Sequence, residues 1–302
     1  MREQVDAVQR MQDYIEEHLG GQITLEQLAA AAGYSPYHAT RLFKEIVGIA
    51  PSEYLRARRL SRAAIQLRDT ADRVLDVALD TAFESHEGFT RAFSDRFGLS
   101  PGQYRKGLHP LALFLPRSAR DYFLHTSKGG CVMTEQAHAN TIFVQVVERP
   151  ARKLILLRGR KATDYWGYCE EVGCDVWGTL TSLKGALNEP IGMWLPANLR
   201  APDTSVYAQG VEMPADYAGP VPEGMELIDL LSSKYLVFQG EPYRDDEMGQ
   251  AIAGVWRAME SYKPEVFGWE WADEAGPRFQ LAPIAERGYI EGRPVREAKR
   301  GA

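Results

Sequence analysis

Ser35-Pro36-Tyr37-His38-Ala39-Thr40-Arg41-Leu42-Phe43, continuing to Gly48, Pro51 and Tyr54, returns fifty residues later as Ser85-His86-Glu87-Gly88-Phe89-Thr90-Arg91-Ala92-Phe93, continuing to Gly98, Pro101 and Tyr104. Ahead of each copy runs a short apolar-periodic stretch, Leu25, Leu28, Ala29 and then Val74, Val77, Ala78, at an offset of 49, so one extra residue, Glu84, enters the second turn. Self-similarity of this kind marks one supersecondary unit used twice. Each copy reads as helix, tight turn, helix. Thr24 precedes the first short helix as N-cap, with Gln27 where a capping box needs it. Gly33 supplies the turn. Ser35 caps the next helix, Pro36 takes its first position, where a missing N–H costs nothing, and Gly48 closes it in the left-handed conformation that glycine tolerates. Ser85 and Gly98 repeat the pattern.

Working outward, an amphipathic helix with Val8, Met11, Ile15 and Leu19 on one face leads into the first copy. A longer helix, from about Pro51 to Leu67, bears Tyr54, Leu55, Leu60 and Ile65 among arginines and joins the copies. The whole chain of 302 residues carries a net charge of −6, but residues 1–128 hold 17 Lys and Arg against 16 Asp and Glu, so the acidity belongs to the remainder. Positive charge in the first part gathers at Arg41, Lys44, Arg56, Arg58, Arg59 and Arg62, and again at Arg91, Arg96, Arg105 and Lys106. Charge acts by location rather than in sum, so a net acidic chain can still carry a nucleic-acid footprint. No apolar run approaches the roughly 20 residues of a membrane span and Met1 to Arg10 is polar, so the expectation is a cytoplasmic protein without a membrane partner. Cys131, Cys169 and Cys174 lack metal-ligand spacing and read as reduced packing residues; no metal site and no cofactor are expected.

Two second helices held by one linker helix can enter successive major grooves about 34 Å apart on one face of DNA. On the residues of the repeat, and above all on Val77-Ala78-Leu79-Asp80-Thr81-Ala82-Phe83 followed by the second copy and by Gly98-Leu99-Ser100-Pro101 and Tyr104-Arg105, residues 1–108 resemble the AraC/XylS family of bacterial transcription regulators. The resemblance implies an all-α double helix-turn-helix domain whose partner is double-stranded promoter DNA, with RNA polymerase as a further partner. It assigns the DNA contacts to Ser35, Tyr37, Thr40, Arg41 and Lys44 in the first copy and to Ser85, His86, Glu87, Thr90 and Arg91 in the second. The chemistry fits. Arg41 and Arg91 can bond guanine edges bidentately, Glu87 can accept from cytosine N4, and threonine methyls can meet thymine. Ser35, Lys44 and Ser85 suit phosphates, which position rather than specify. One departure stands out: Ala82 occupies the second turn where the family usually has glycine, which implies a strained turn.

From Gly107 to about Asn140 regularity is lost, and residues 109–140 read as a linker with a docking segment at Leu111 to Leu115. Residues 141–302 then read as strand, strand, helix, strand, strand, twice: strands near 141–147 and 153–158, a helix over 163–187, strands near 192–195 and 204–212, then strands near 226–230 and 235–240, a helix over 246–262, and strands near 279–281 and 288–293. An α+β domain follows, with duplicated units forming an antiparallel sheet. Val144-Gln145-Val146-Val147-Glu148-Arg149-Pro150-Ala151-Arg152 and the closing Ile290-Glu291-Gly292-Arg293-Pro294-Val295 resemble the GyrI-like effector-binding domain, which implies a sensor of drugs or other hydrophobic compounds.

Aromatics are dense between Tyr165 and Trp271. Trp166, Gly173, Trp177 and Leu180 form a helical stripe with Glu170 on the same face, while Trp194, Tyr207, Trp269, Trp271 and Tyr289 lie on or near strands. An aromatic cleft with a few acids can bind flat, lipophilic molecules, cations among them, by stacking, cation–π contact and charge. By the resemblance, Gln280 stands where multidrug-binding members often carry a buried glutamate, which leaves Glu291 and Glu170 as substitute acids. The chain therefore reads as a regulator responsive to a small lipophilic ligand and not as an enzyme. The alternative is a hydrolase of a toxic small molecule, pairing Glu170 or Glu291 with Tyr207 or Tyr289.

Overall fold

The computed structural model describes residues 2–107, 109–119, 141–173 and 175–298; Cys131, Cys174 and the 120–140 stretch of the expected linker lie outside them. The chain divides into two compact units, 1–131 and 132–302. In the first, the chain up to residue 107 forms α1 (Arg2–Glu17), α2 (Leu25–Ala32), α3 (Pro36–Val47), α4 (Pro51–Asp69), α5 (Val74–Asp80), α6 (His86–Phe97) and α7 (Pro101–Gly107). The helix boundaries are written in local chemistry. Thr24 and Gln27 form the reciprocal capping box, and Gly33 closes α2 at φ +73°. Ser35 Oγ accepts from the His38 N–H, Ser85 Oγ from the Gly88 N–H, and Gly48 and Gly98 end α3 and α6 with φ of +88° and +76°. Arg10 on α1 donates to the Ala31 and Ala32 carbonyls, satisfying groups that the end of α2 leaves open.

Two apolar cores result, one per repeat. Val8, Met11 and Ile15 of α1 pack with Leu28, Leu42, Phe43 and Tyr54 in the first; Leu60, Ala64, Leu67, Val77, Phe89, Phe93 and Tyr104 form the second. Helix α4 belongs to both, its first turns to one and its later turns to the other, and so fixes the two motifs to a single rod. The segment after α7 docks on this unit. Leu111 and Leu113 are buried in the second core, the Phe114 ring stands edge-on to Tyr54 at 5.2 Å, and its N–H donates to Ser61 Oγ.

Ala82 adopts φ +56°, one of two non-glycine residues among those described with positive φ. The turn geometry therefore matches that of Gly33 while carrying a Cβ that crowds the following carbonyl. Because glycine's extra freedom in the unfolded chain offsets part of the relief, Ala82→Gly is expected to stabilise the first unit by about 0.5–1 kcal/mol, read as a rise in the urea midpoint of the helical circular-dichroism signal. An unchanged or lower midpoint would mean that the turn carries no such strain.

Among the described residues the second unit holds one antiparallel sheet of nine strands: β1 (Ile142–Arg149), β2 (Arg152–Arg158), β3 (Ile191–Trp194), β4 (Tyr207–Pro214), β5 (Glu226–Leu230), β6 (Ser233–Gly240), β7 (Trp269–Trp271), β8 (Arg278–Gln280) and β9 (Ile290–Glu297). Their order is β1-β6-β9-β8-β3-β4-β2-β5, with β7 added on β9. The helices α8 (Tyr165–Val172) and α9 (Val176–Ser182) cover β2 and β4, burying Tyr168, Val176 and Leu180 against Ile155, Tyr207 and Val211. Helix α10 (Met248–Ser261) covers β6 and β9, burying Val255 and Met259 against Leu236, Phe238 and Tyr289. The continuous helix expected over 163–187 is instead two short ones: Gly173, at φ +93° and ψ 156°, leaves the helical region, and the chain turns extended after Ser182. Glycine read as part of a stripe was in fact the break. Strand β7 was also missing from the sequence reading, because three residues give too short a period to see.

Candidate functional site

The first candidate surface is the outward face of α3 and α6. With Ala39, Leu42, Phe43, Ile46 and Val47 buried, α3 turns Tyr37, Arg41 and Lys44 to solvent at i, i+4, i+7 spacing, and Tyr37 is 81% exposed. Helix α6 buries Phe89, Ala92 and Phe93 and exposes His86, Glu87 and Arg91. Arg41 lies 3.5 Å from Glu45 in an exposed pair. Thr40 and Thr90 are only half-exposed. The Thr40 hydroxyl donates to the Pro36 carbonyl, and the Thr90 hydroxyl is enclosed without a hydrogen bond, so neither hydroxyl faces a groove in this conformation. Ser35 and Ser85 are exposed at the two helix starts, where a helix N-terminus favours a phosphate.

Not all of the basic residues grouped in the sequence share that face. Arg58 is buried and binds both oxygens of Glu16 at 2.7 and 2.8 Å while Nη1 donates to the Phe114 carbonyl. Arg59 donates to the Leu19 and Gly21 carbonyls beyond the end of α1, and Arg105 to the Asp72 carbonyl. These three hold the domain together, which leaves Arg56, Arg62, Arg91 and Arg96 as exposed arginines alongside Arg41.

The second candidate lies at the middle of the sheet, on its helix-covered face, where the α8–α9 layer and the α10 layer each stop. Cross-strand pairing sets two rows of three residues side by side over four strands: Gly192 pairs with Gln280, and Gln280 with Glu291, while the adjacent row pairs Tyr207 with Trp194 and Trp194 with Arg278. Glu291 is fully buried. Its Oε2 accepts from Trp256 Nε1–H at 2.8 Å and from the Tyr289 hydroxyl at 2.8 Å, and its Oε1 takes the Nε–H of Arg278. Gln280 bridges the rest: its Nε2–H donates to the Tyr207 hydroxyl at 3.0 Å, and its Oε1 lies 3.0 Å from the Tyr289 hydroxyl. Burial, first of all, pushes the Tyr207 and Tyr289 hydroxyls well above the ordinary phenol range, and the Glu291 charge adds to this, so both remain protonated donors. The row needs Gly192 without a side chain, since a Cβ there would stand 2.3 Å from the Tyr207 hydroxyl.

Of the ten residues expected to line a ligand site, Trp194, Tyr207, Gln280, Tyr289 and Glu291 come together here. Trp166 and Trp177 are half-buried on α8 and α9, outside the apolar cluster that those helices form with the sheet. Trp269 and Trp271 pack instead in the α10 cluster, with Arg293 over the Trp271 ring at 4.3 Å. Glu170 is exposed on α8, so the stripe that grouped it with Trp177 fails at the Gly173 break. Trp256 and Arg278 were missed. Each left a signal: Trp256 follows Ile252 and Val255 at the spacing of a buried helix face, and Arg278 stands two residues before Gln280 on one strand.

Among the described residues no helix is long and apolar enough to cross a membrane, and no group of three or more His, Cys, Asp or Glu is placed to hold a metal. Cys169 is buried.

A family model described as a helix-turn-helix domain matches residues 28–107. The right origin-binding protein of Escherichia coli K12 is 46% identical over 93 residues, which are 31% of this chain and 32% of that protein; the match thus spans about a third of the length of such curated relatives. The HTH-type transcriptional activator AarP of Providencia stuartii is 37% identical over 109 residues, covering 35% of this chain and 81% of that one. A solved structure of a probable AraC family transcriptional regulator from Rhodopseudomonas palustris is 30% identical and covers 33% of this chain and 95% of that one, at a TM-score of 0.32. With the duplicated motif and its caps in hand, and a relative 37% identical of which the match covers 81%, the chain belongs to the AraC/XylS family of helix-turn-helix transcription regulators.

Proposed function

We propose that the chain is a sequence-specific DNA-binding transcription regulator whose second unit senses a small, lipophilic, aromatic ligand. The observation that carries the DNA-binding half is the pair of equivalent helices, α3 and α6, each turning an arginine and polar residues outward from a shared rod, α4. The relatives, an origin-binding protein and a transcriptional activator, support the same reading. The base contacts are then Tyr37, Thr40, Arg41, His86, Glu87, Thr90 and Arg91, with Ser35, Lys44 and Ser85 on phosphates.

The ligand-sensing half rests on the buried row at the centre of the sheet. A strand order that reads β1-β6-β9-β8 from one end and β5-β2-β4-β3 from the other supports a domain built by duplication, as in GyrI-like proteins, with the row at the junction of its halves. Sensing fits the row better than hydrolysis does, because Glu291 is fully buried and three donors already engage its two oxygens, so it does not meet a substrate or an attacking water directly. The test is binding of the full chain to its own upstream DNA at several salt concentrations, with and without a panel of lipophilic aromatic compounds. Specific binding that a compound shifts is the expected result; absence of any sequence preference would overturn the regulator reading, and specific binding that no compound moves would overturn the sensor reading alone.

A further inference from the structure

The buried row, taken as the ligand site just described, has hydrogen-bond donors to spare at its solvent side, while both oxygens of its acid are already engaged. On the acceptor side, both oxygens of Glu291 are engaged, one by Arg278 and the other by Trp256 and Tyr289, whose single hydroxyl proton is shared between Glu291 and Gln280 Oε1. On the donor side, Nη1 and Nη2 of Arg278 hydrogen-bond to nothing among the described residues, and the Tyr207 hydroxyl accepts from Gln280 but donates to nothing there. The Arg278 side chain is 36% exposed while Glu291 is fully buried, so the guanidinium stands between the acid and solvent. It also lies over the Trp194 ring at 4.9 Å, which holds its plane in place.

We infer that Arg278 is a resident counter-ion that closes Glu291 to cationic ligands and makes the site selective for an aromatic carboxylate. A cationic ligand would have to break the Arg278–Glu291 pair and leave the guanidinium without its acid, whereas a carboxylate meets the free fork of Arg278 bidentately without disturbing that pair. The ring of the ligand extends the stack of guanidinium on indole, in the manner of arginine on aromatic faces. Two residues thus decide the sign of the ligand's charge: Glu291, which would attract a cation, and Arg278, which has already answered it.

The six tryptophans run from Trp166 to Trp271, so tryptophan fluorescence, excited selectively, reports on the second unit only. The full chain is titrated with three probes of one shape: 2-naphthoate, neutral 2-naphthamide and 2-naphthylmethylammonium. Naphthoate is expected to bind about tenfold or more tighter than the ammonium probe, the worth of one charge-assisted fork. Arg278→Met is expected to erase that preference, weakening naphthoate about tenfold and admitting the ammonium probe at Glu291. Should R278M unfold because Glu291 is left unpaired, the double variant R278M/E291Q removes both charges and is expected to bind naphthamide while discriminating against neither ion. Ammonium binding to the unaltered chain as tight as naphthoate, or naphthoate affinity unchanged in R278M or in R278M/E291Q, overturns the inference while leaving the site in place. Failure of all three probes to bind overturns the site reading itself and the inference with it.

Discussion

Alanine at both Arg41 and Arg91 is expected to lower affinity for the specific DNA site by about two orders of magnitude or more while leaving the fold intact. A bidentate arginine to a guanine edge contributes roughly 1–3 kcal/mol of discrimination, and 1.4 kcal/mol is a factor of ten. The two losses should add, because the residues lie on separate helices packed in separate cores and share no partner. Neither substitution costs much in the free protein. Arg41 gives up a pair with Glu45 in which the two side chains are 56% and 59% exposed, a geometry of little worth in water. The measurement is fluorescence anisotropy on the upstream duplex and on a scrambled one across a salt series. Base contacts predict that the double variant loses the specific duplex and keeps the scrambled one nearly unchanged. Lys44→Ala is the contrast: a phosphate contact weakens both duplexes alike and reduces the salt slope by about one. Equal loss on both duplexes in the arginine double variant would reassign these side chains to the backbone, and retained specificity would remove α3 and α6 from the interface.

The first domain was legible because its signals are local. Caps at Thr24, Ser35 and Ser85, glycines at 33, 48 and 98 and an exact spacing between copies are each decided within a few residues, and the structure carries every one of them out. Arg58 shows where composition alone misleads. It stands four residues after Tyr54 and three after Leu55, on the buried side of α4, so its charge serves Glu16 rather than DNA; the helical period already said so, and counting basic residues hid it. In the second domain, alternation along single strands correctly paired Tyr289 with Glu291, yet nothing local states that β3 lies beside β8, 84 residues apart at Trp194 and Arg278. That non-local pairing assembles the row, and it also puts the fully buried acid beside Gln280 rather than in its place.

Glu212→Ala is expected to be the most destabilising single change in the second unit, at about 3–5 kcal/mol. Glu212 lies on β4, on the sheet face away from the helices, and only 2% of its side chain is exposed. Arg152 Nε–H donates to its Oε1 at 2.6 Å, and Arg149 Nη1 lies 2.9 Å from the same oxygen. Neither arginine can escape to water: Arg152 is 1% exposed, anchored also on the Tyr235 hydroxyl, and the Arg149 guanidinium is stacked 3.9 Å from the Phe279 ring centroid. Removing the acid therefore leaves one buried and one partly buried cation facing one another, and the cost is their desolvation and repulsion more than the loss of a contact. For a unit of this size about 10 °C of melting temperature follows, followed by tryptophan fluorescence, which the first unit does not contribute to. Glu212→Gln keeps an oxygen for Arg152 but no charge and should fall between. The decisive comparison is R149M/R152M/E212L: apolar replacement of a whole buried ion cluster is often neutral, so this variant should recover most of what Glu212→Ala loses. If it melts as low as Glu212→Ala, the cluster is needed for its hydrogen bonds joining β2, β4 and β6, and the unpaired charges are not the cause; if Glu212→Ala melts with the unaltered protein, the two arginines do not depend on this acid at all.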